Sequence, residues 1–118
     1  MSYYHEPTDE LPAKTRDIAR ALESLKEEVE AVNWYNQRVA VASDEQLKKI
    51  LAHNRDEEIE HSVMLVEWLR RNMDGWDDEL KTYLFTEGDL SEVEEGEEGE
   101  SKESSEGSSG LGIGGLKD

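Results

Sequence analysis

Residues 53–61 read His53-Asn54-Arg55-Asp56-Glu57-Glu58-Ile59-Glu60-His61. Glu58 and His61 stand three positions apart, so on a helix they project from one face. The pair belongs to a longer seam of Leu47, Leu51, Asn54, Glu58, His61, Leu65 and Trp68, in alternating steps of four and three. That period is helical. A carboxylate and an imidazole therefore occupy positions where such a helix should be apolar, and burying them is costly unless something pairs with them. A metal ion would pair with both. Carboxylate-bridged di-metal bundles take a Glu-x-x-His pair from each of two helices.

The rest of the fold follows outward from this segment. A first helix begins at about Leu11, with Pro12 tolerated in its first turn, and runs to about Ala42. Its seam is Ile18, Ala21, Leu25, Glu28, Val32, Tyr35 and Val39, again in steps of three and four. Ser43-Asp44-Glu45-Gln46 is a capping-box signature for the second helix. That helix should stop near Asn72, before Asp74-Gly75. A short third helix is expected from Trp76 to Thr86, with Gly88 in the place of a C-terminal glycine. Residues 1–10 are polar and read as a flexible N-terminus, leaving residues 11–88 as the helical domain.

The composition narrows the chemistry. Cysteine is absent, so a metal would be held by carboxylate, imidazole, phenolate or water, which suits Fe, Mn, Mg, Ca or Zn. No run of apolar residues is long enough to span a bilayer, and no apolar leader opens the chain, which predicts a cytoplasmic protein without a membrane partner. The formal charge is −17. Nucleic-acid binding is not expected, because phosphate contacts need clustered Lys and Arg. Residues 87–106 carry ten acidic groups and a single lysine. Residues 89–110 are almost entirely Glu, Gly and Ser, too polar to offset their ordering entropy, and read as an acidic disordered linker. Hydrophobicity returns at Leu111-Gly112-Ile113-Gly114-Gly115-Leu116-Lys117-Asp118. Leu111, Ile113 and Leu116 on a solvated tether suit apolar pockets on a partner.

The fold class expected is all-α: an antiparallel two-helix hairpin plus a short third helix. A hairpin buries one stripe per helix and needs a second hairpin to close a core, so a four-helix bundle completed by dimerisation is expected. The site makes the same demand. One chain offers Glu28 on the first helix and Glu58 with His61 on the second, half of a di-metal ligand set. Two-fold symmetry doubles it. The competing reading of Glu28, with Glu27 and Glu30 beside it, is a solvated acidic face. Tyr35 shares the seam and is either core, with its hydroxyl bonded, or a contact of the metal shell. Trp34 and Trp68 read as packing. His53, one step off the seam, reads as surface or at most a secondary metal contact, and His5 receives no role.

These residues carry a resemblance. Glu27-Glu28-Val29-Glu30-Ala31-Val32-Asn33-Trp34-Tyr35-Asn36-Gln37-Arg38 resembles the first-helix motif of the encapsulated ferritins. His53 to His61, continuing through Glu67-Trp68-Leu69-Arg70-Arg71, resembles their second-helix motif. Thr82-Tyr83-Leu84-Phe85-Thr86-Glu87-Gly88 is similar to the end of their folded region, and residues 111–117 to the peptide that docks cargo inside an encapsulin shell.

The resemblance implies a ferritin-like bundle and a ferroxidase, which oxidises Fe(II) with dioxygen at a di-iron site between two chains. It implies a homo-oligomer, a decameric ring of five dimers, held inside an encapsulin nanocompartment where the iron is mineralised. By motif position it places iron ligands at Glu28, Glu58 and His61, a nearby tyrosine at Tyr35, and an outer metal site at Glu27 and Glu30. Ca or another divalent ion is expected to substitute for iron or to occupy the outer sites. The rival readings are another di-metal bundle enzyme using peroxide or oxygen, and a metal-binding helical oligomer without catalysis.

Overall fold

The computed structural model describes residues 4–93. Three α-helices run in the order α1 (Ala13–Val41), α2 (Glu45–Asn72) and α3 (Trp76–Tyr83), with short 3-10 turns at Thr8–Glu10 and Leu90–Glu92. No strand occurs among the described residues. The chain divides into two units, one ending at Met73 and the other beginning at Asp74.

In the first unit, α1 and α2 form a long hairpin. Pro12 occupies the N-cap of α1, where its missing N–H leaves no donor unsatisfied. The helix ends as Ala42 turns extended at ψ 137°, its N–H still donating to Arg38 O at 2.9 Å. Only residues 42–44 connect the helices. Asp44 then caps α2, accepting from Leu47 N at 2.8 Å. Ser43-x-x-Gln46 is therefore not the working box. The cap sits one residue later, where a carboxylate also meets the positive end of the helix dipole. At the far end of the hairpin, Lys14 Nζ donates to Asn72 Oδ1 at 2.9 Å. Nearer the connection, Arg55 Nη1 donates to Asn36 Oδ1 at 3.1 Å. The two bonds join the helices at two levels, in keeping with an antiparallel register. Glu28 and Glu58 stand near the midpoints of α1 and α2.

The hairpin has little interior of its own. Ala21 and Leu69 are its buried hydrophobics, whereas Val29, Trp34, Ile50, Ile59, Val63 and Met64 all remain exposed. Trp34, expected to pack, is 51% exposed. A stable helical core needs more partners than one helix supplies to another.

In the second unit, Gly75 (φ 102°) makes the turn into α3, and Asp77, Asp78 and Glu79 fill the first turn, where the helix dipole favours acids. Thr82 is buried, its hydroxyl donating to Asp78 O at 2.9 Å. The helix stops at Tyr83, three residues short of the expected Thr86. Leu84 is extended at ψ 143°, and Phe85 follows at φ 63° with its side chain fully exposed. Phe85 thus takes the left-handed post assigned to Gly88, which has φ 94° but lies beyond the helix end. Asp89 begins the 3-10 turn at Leu90–Glu92 by accepting from Ser91 N at 2.9 Å, inside the stretch read as linker. The N-terminal stretch read as flexible likewise holds a turn at Thr8–Glu10. Most of the linker and the whole of residues 111–118 lie outside the described residues.

Candidate metal centre

The site is assembled from both helices of the hairpin. On α2 the three-residue spacing brings Glu58 Oε1 to 3.3 Å from His61 Nδ1. From α1, Glu28 Oε1 approaches the same nitrogen at 3.4 Å. One ligand atom from each of the three residues lies within 4.8 Å of the others. Among the described residues this is the group whose geometry could hold a metal ion. Adjacent ligands around a cation with bonds of about 2.1 Å are separated by roughly 3 Å. The two nitrogen–oxygen spacings are therefore close to those of a formed shell. The side chains of Glu28 and Glu58 are 29% and 24% exposed and that of His61 45%, which leaves the group shielded by its own helices and open on one side.

The electrostatics favour positive charge among these groups. Hydrogen bonding with the Glu58 carboxylate, reinforced by burial and by the Glu58 charge, pushes the Glu28 carboxyl above its usual range, with His61 pulling back. At His61, burial opposes the charged ring, but hydrogen bonds to Glu58 and Glu28 outweigh it and raise its pKa. The same carboxylate-rich surroundings that favour protons on these groups would favour a bound cation. Two carboxylates and an imidazole form a donor set suited to Fe, Mn or Zn.

The other residues nominated by the sequence are not members of this group. Glu27 and Glu30 are exposed on α1. Tyr35 is half-buried, with the Arg38 guanidinium 5.0 Å from its ring centroid. His53 is 73% exposed and lies 3.8 Å from Glu57. Leu111, Ile113 and Leu116 lie outside the described residues. The sequence alone does not single out Glu57, yet its Oε1 lies 3.9 Å from His61 Nε2. The available signal is spacing, since Glu57 is one helical turn from both His53 and His61.

An all-helical hairpin carrying a carboxylate–histidine group at mid-length belongs to the ferritin-like class. Residues 3–87 match the family model described as EncFtn-like. The chain belongs to that family, the encapsulated ferritins. A Thermotoga maritima protein named "Ferritin-like protein" is 64% identical over 91 residues, 77% of this chain and 80% of that protein. A Rhodospirillum rubrum "Encapsulated ferritin-like protein" is 53% identical over 90 residues, 76% of this chain and 64% of that longer protein. The crystal structure of a Nitrosomonas europaea protein superposes with a TM-score of 0.72 at 58% identity, covering 75% of this chain and 97% of that one.

Proposed function

We propose that this chain is a ferroxidase, passing electrons from Fe(II) to dioxygen at a di-iron site shared by two subunits, and that the Fe(III) formed is stored as mineral inside an encapsulin shell. The observation that carries this is the meeting of Glu28, Glu58 and His61, half of a di-metal ligand set, on a hairpin that leaves large apolar side chains exposed.

Each residue has a part. Exposed Glu27 and Glu30 supply a negative field that draws Fe(II) toward the centre. Glu28 and Glu58 offer hard oxygen donors, and hard donors favour Fe(III) over Fe(II), which assists electron loss to oxygen. His61 would offer Nδ1, the ring nitrogen near both carboxylates, in its unprotonated form. Tyr35, two turns along α1 from Glu28, is assigned to the edge of the metal shell. The second subunit supplies the symmetric half, so the complete centre carries four carboxylates and two imidazoles. Without cations those carboxylates repel, so divalent ions should drive association by binding only the assembled form. A ring of five dimers is the assembly proposed. The tip at Leu111, Ile113 and Leu116 docks on the shell wall, placing the enzyme inside a cytoplasmic nanocompartment. Among the described residues no helix is long and apolar enough to cross a membrane.

Anaerobic loading with Fe(II), followed by air, tests the reading. Mass should rise on loading with about one ion per chain, and Fe(III) absorbance should appear only once oxygen is admitted. Binding without oxygen uptake would reduce the protein to a cation buffer. Faster turnover with peroxide than with oxygen would move it to another di-metal class.

A further inference from the structure

We infer that Glu57 is a positioning residue for the metal centre: its carboxylate holds the His61 ring through Nε2, so that Nδ1 faces Glu28 and Glu58. The inference rests on the metal reading of the site and adds a residue to it.

The argument begins with the freedom of the ring. The His61 side chain is 45% exposed, so packing alone does not choose between its two ring orientations. In the observed orientation each ring nitrogen has a carboxylate nearby. Nδ1 lies 3.3 Å from Glu58 and 3.4 Å from Glu28, while Nε2 lies 3.9 Å from Glu57 Oε1. Glu57 comes from the same helix one turn earlier, so the backbone itself sets this approach. Its other oxygen lies 3.8 Å from His53 Nε2. The carboxylate is thus suspended between two imidazoles, one turn to either side. A metal-ligating imidazole commonly donates its other N–H to a carboxylate, which fixes the tautomer and aims the lone pair. Glu57 is placed to accept that bond. A small rotation of the Glu57 side chain would bring the 3.9 Å separation within hydrogen-bond range. Glu57 is not a member of the three-residue ligand group, so its effect on the centre runs through His61.

The test uses the full-length chain and Zn(II), a redox-silent probe, with Glu57→Gln and Glu57→Ala beside the wild type. Glutamine keeps an acceptor oxygen and loses the charge, whereas alanine loses both. Two quantities are read: Zn(II) affinity, and the imidazole nitrogen resonances of His61 in the Zn(II) form. In the wild type the His61 signals should show zinc on Nδ1 and a slowly exchanging proton on Nε2. Glu57→Ala should weaken Zn(II) binding by roughly 10–100-fold and let the Nε2 proton exchange quickly. Glu57→Gln should recover most of the affinity and the slow exchange. If Gln behaves like Ala, the carboxylate acts only as a charge and the inference is overturned. It is overturned equally if Ala matches the wild type in affinity and in the His61 signals. Absence of zinc from His61 in the wild type would instead overturn the metal centre, and the inference with it.

Discussion

His61 Nδ1 and Glu28 Oε1 are 3.4 Å apart, yet they come from different helices and are 33 positions apart in sequence. Glu58 reaches His61 within one helix. The contact to Glu28 is therefore the one that requires the hairpin to be folded in register.

Replacement of any of the three should disable the centre. Glu28→Ala, Glu58→Ala and His61→Ala are each expected to slow oxygen-dependent iron oxidation by more than about 100-fold, above the 10–100-fold typical of residues that only support ligands. Stopped-flow absorbance after mixing Fe(II) with oxygen gives the rate. Wild-type rates in any one of them would remove that residue from the ligand set.

Acidity should act in opposite directions on the empty and the loaded protein. His61 titrates above its ordinary value of 6.5. Its contribution to the stability of the metal-free protein is then fully present below pH 6.5 and is lost as pH rises through the folded-state value. Glu28, also raised, adds to the same trend at lower pH, because the hydrogen bond with Glu58 and burial favour its neutral form. Metal binding must displace the proton on His61, so affinity should fall about tenfold for each pH unit below that raised value. Melting curves in chelator from about pH 5 to 8 should decline, while Zn(II) affinity over the same range should climb. A metal-free melting temperature that rises with pH would contradict the assigned shifts.

The cap on α2 offers a test of the hairpin apart from its chemistry. Asp44→Ala removes the acceptor for Leu47 N and should cost about 1 kcal/mol. Ser43→Ala should be near neutral, since the cap lies one residue later. Denaturant titration of both variants at fixed protein concentration compares them. An equal loss for the two would place Ser43 in the capping role after all.

Removal of residues 111–118 should separate delivery from catalysis. Iron oxidation by the purified protein is expected to stay within about twofold of the full chain, because none of these residues belongs to the proposed ligand set. Co-purification with shell protein should be lost. Normal encapsulation of the truncated form would assign docking to another surface.

The two long helices are legible because their seams repeat in strict steps of three and four, and a helix offers no other way to align such positions. The same geometry puts Glu28, Glu58 and His61 on facing stripes, and the structure gathers them. The ends are harder. Both Ser43 and Asp44 can cap a helix, and the choice depends on which residue turns extended first. Phe85 at φ 63° defeats a rule that looks for glycine, since an aromatic side chain is disfavoured there. Glu57 is hidden by its neighbours: in a run of acids, spacing shows which could approach His61 without showing which does.

The ligand group sits 15 positions from Ala13 and 13 from Val41 along α1, and Glu58 stands at a similar remove from both tips of α2. Long helices loosen from their extremities inward, and such partial melting reaches the centre last. Amide exchange slowest around Glu28 and Glu58 would be the signature of a ligand group set at the least yielding point of the hairpin.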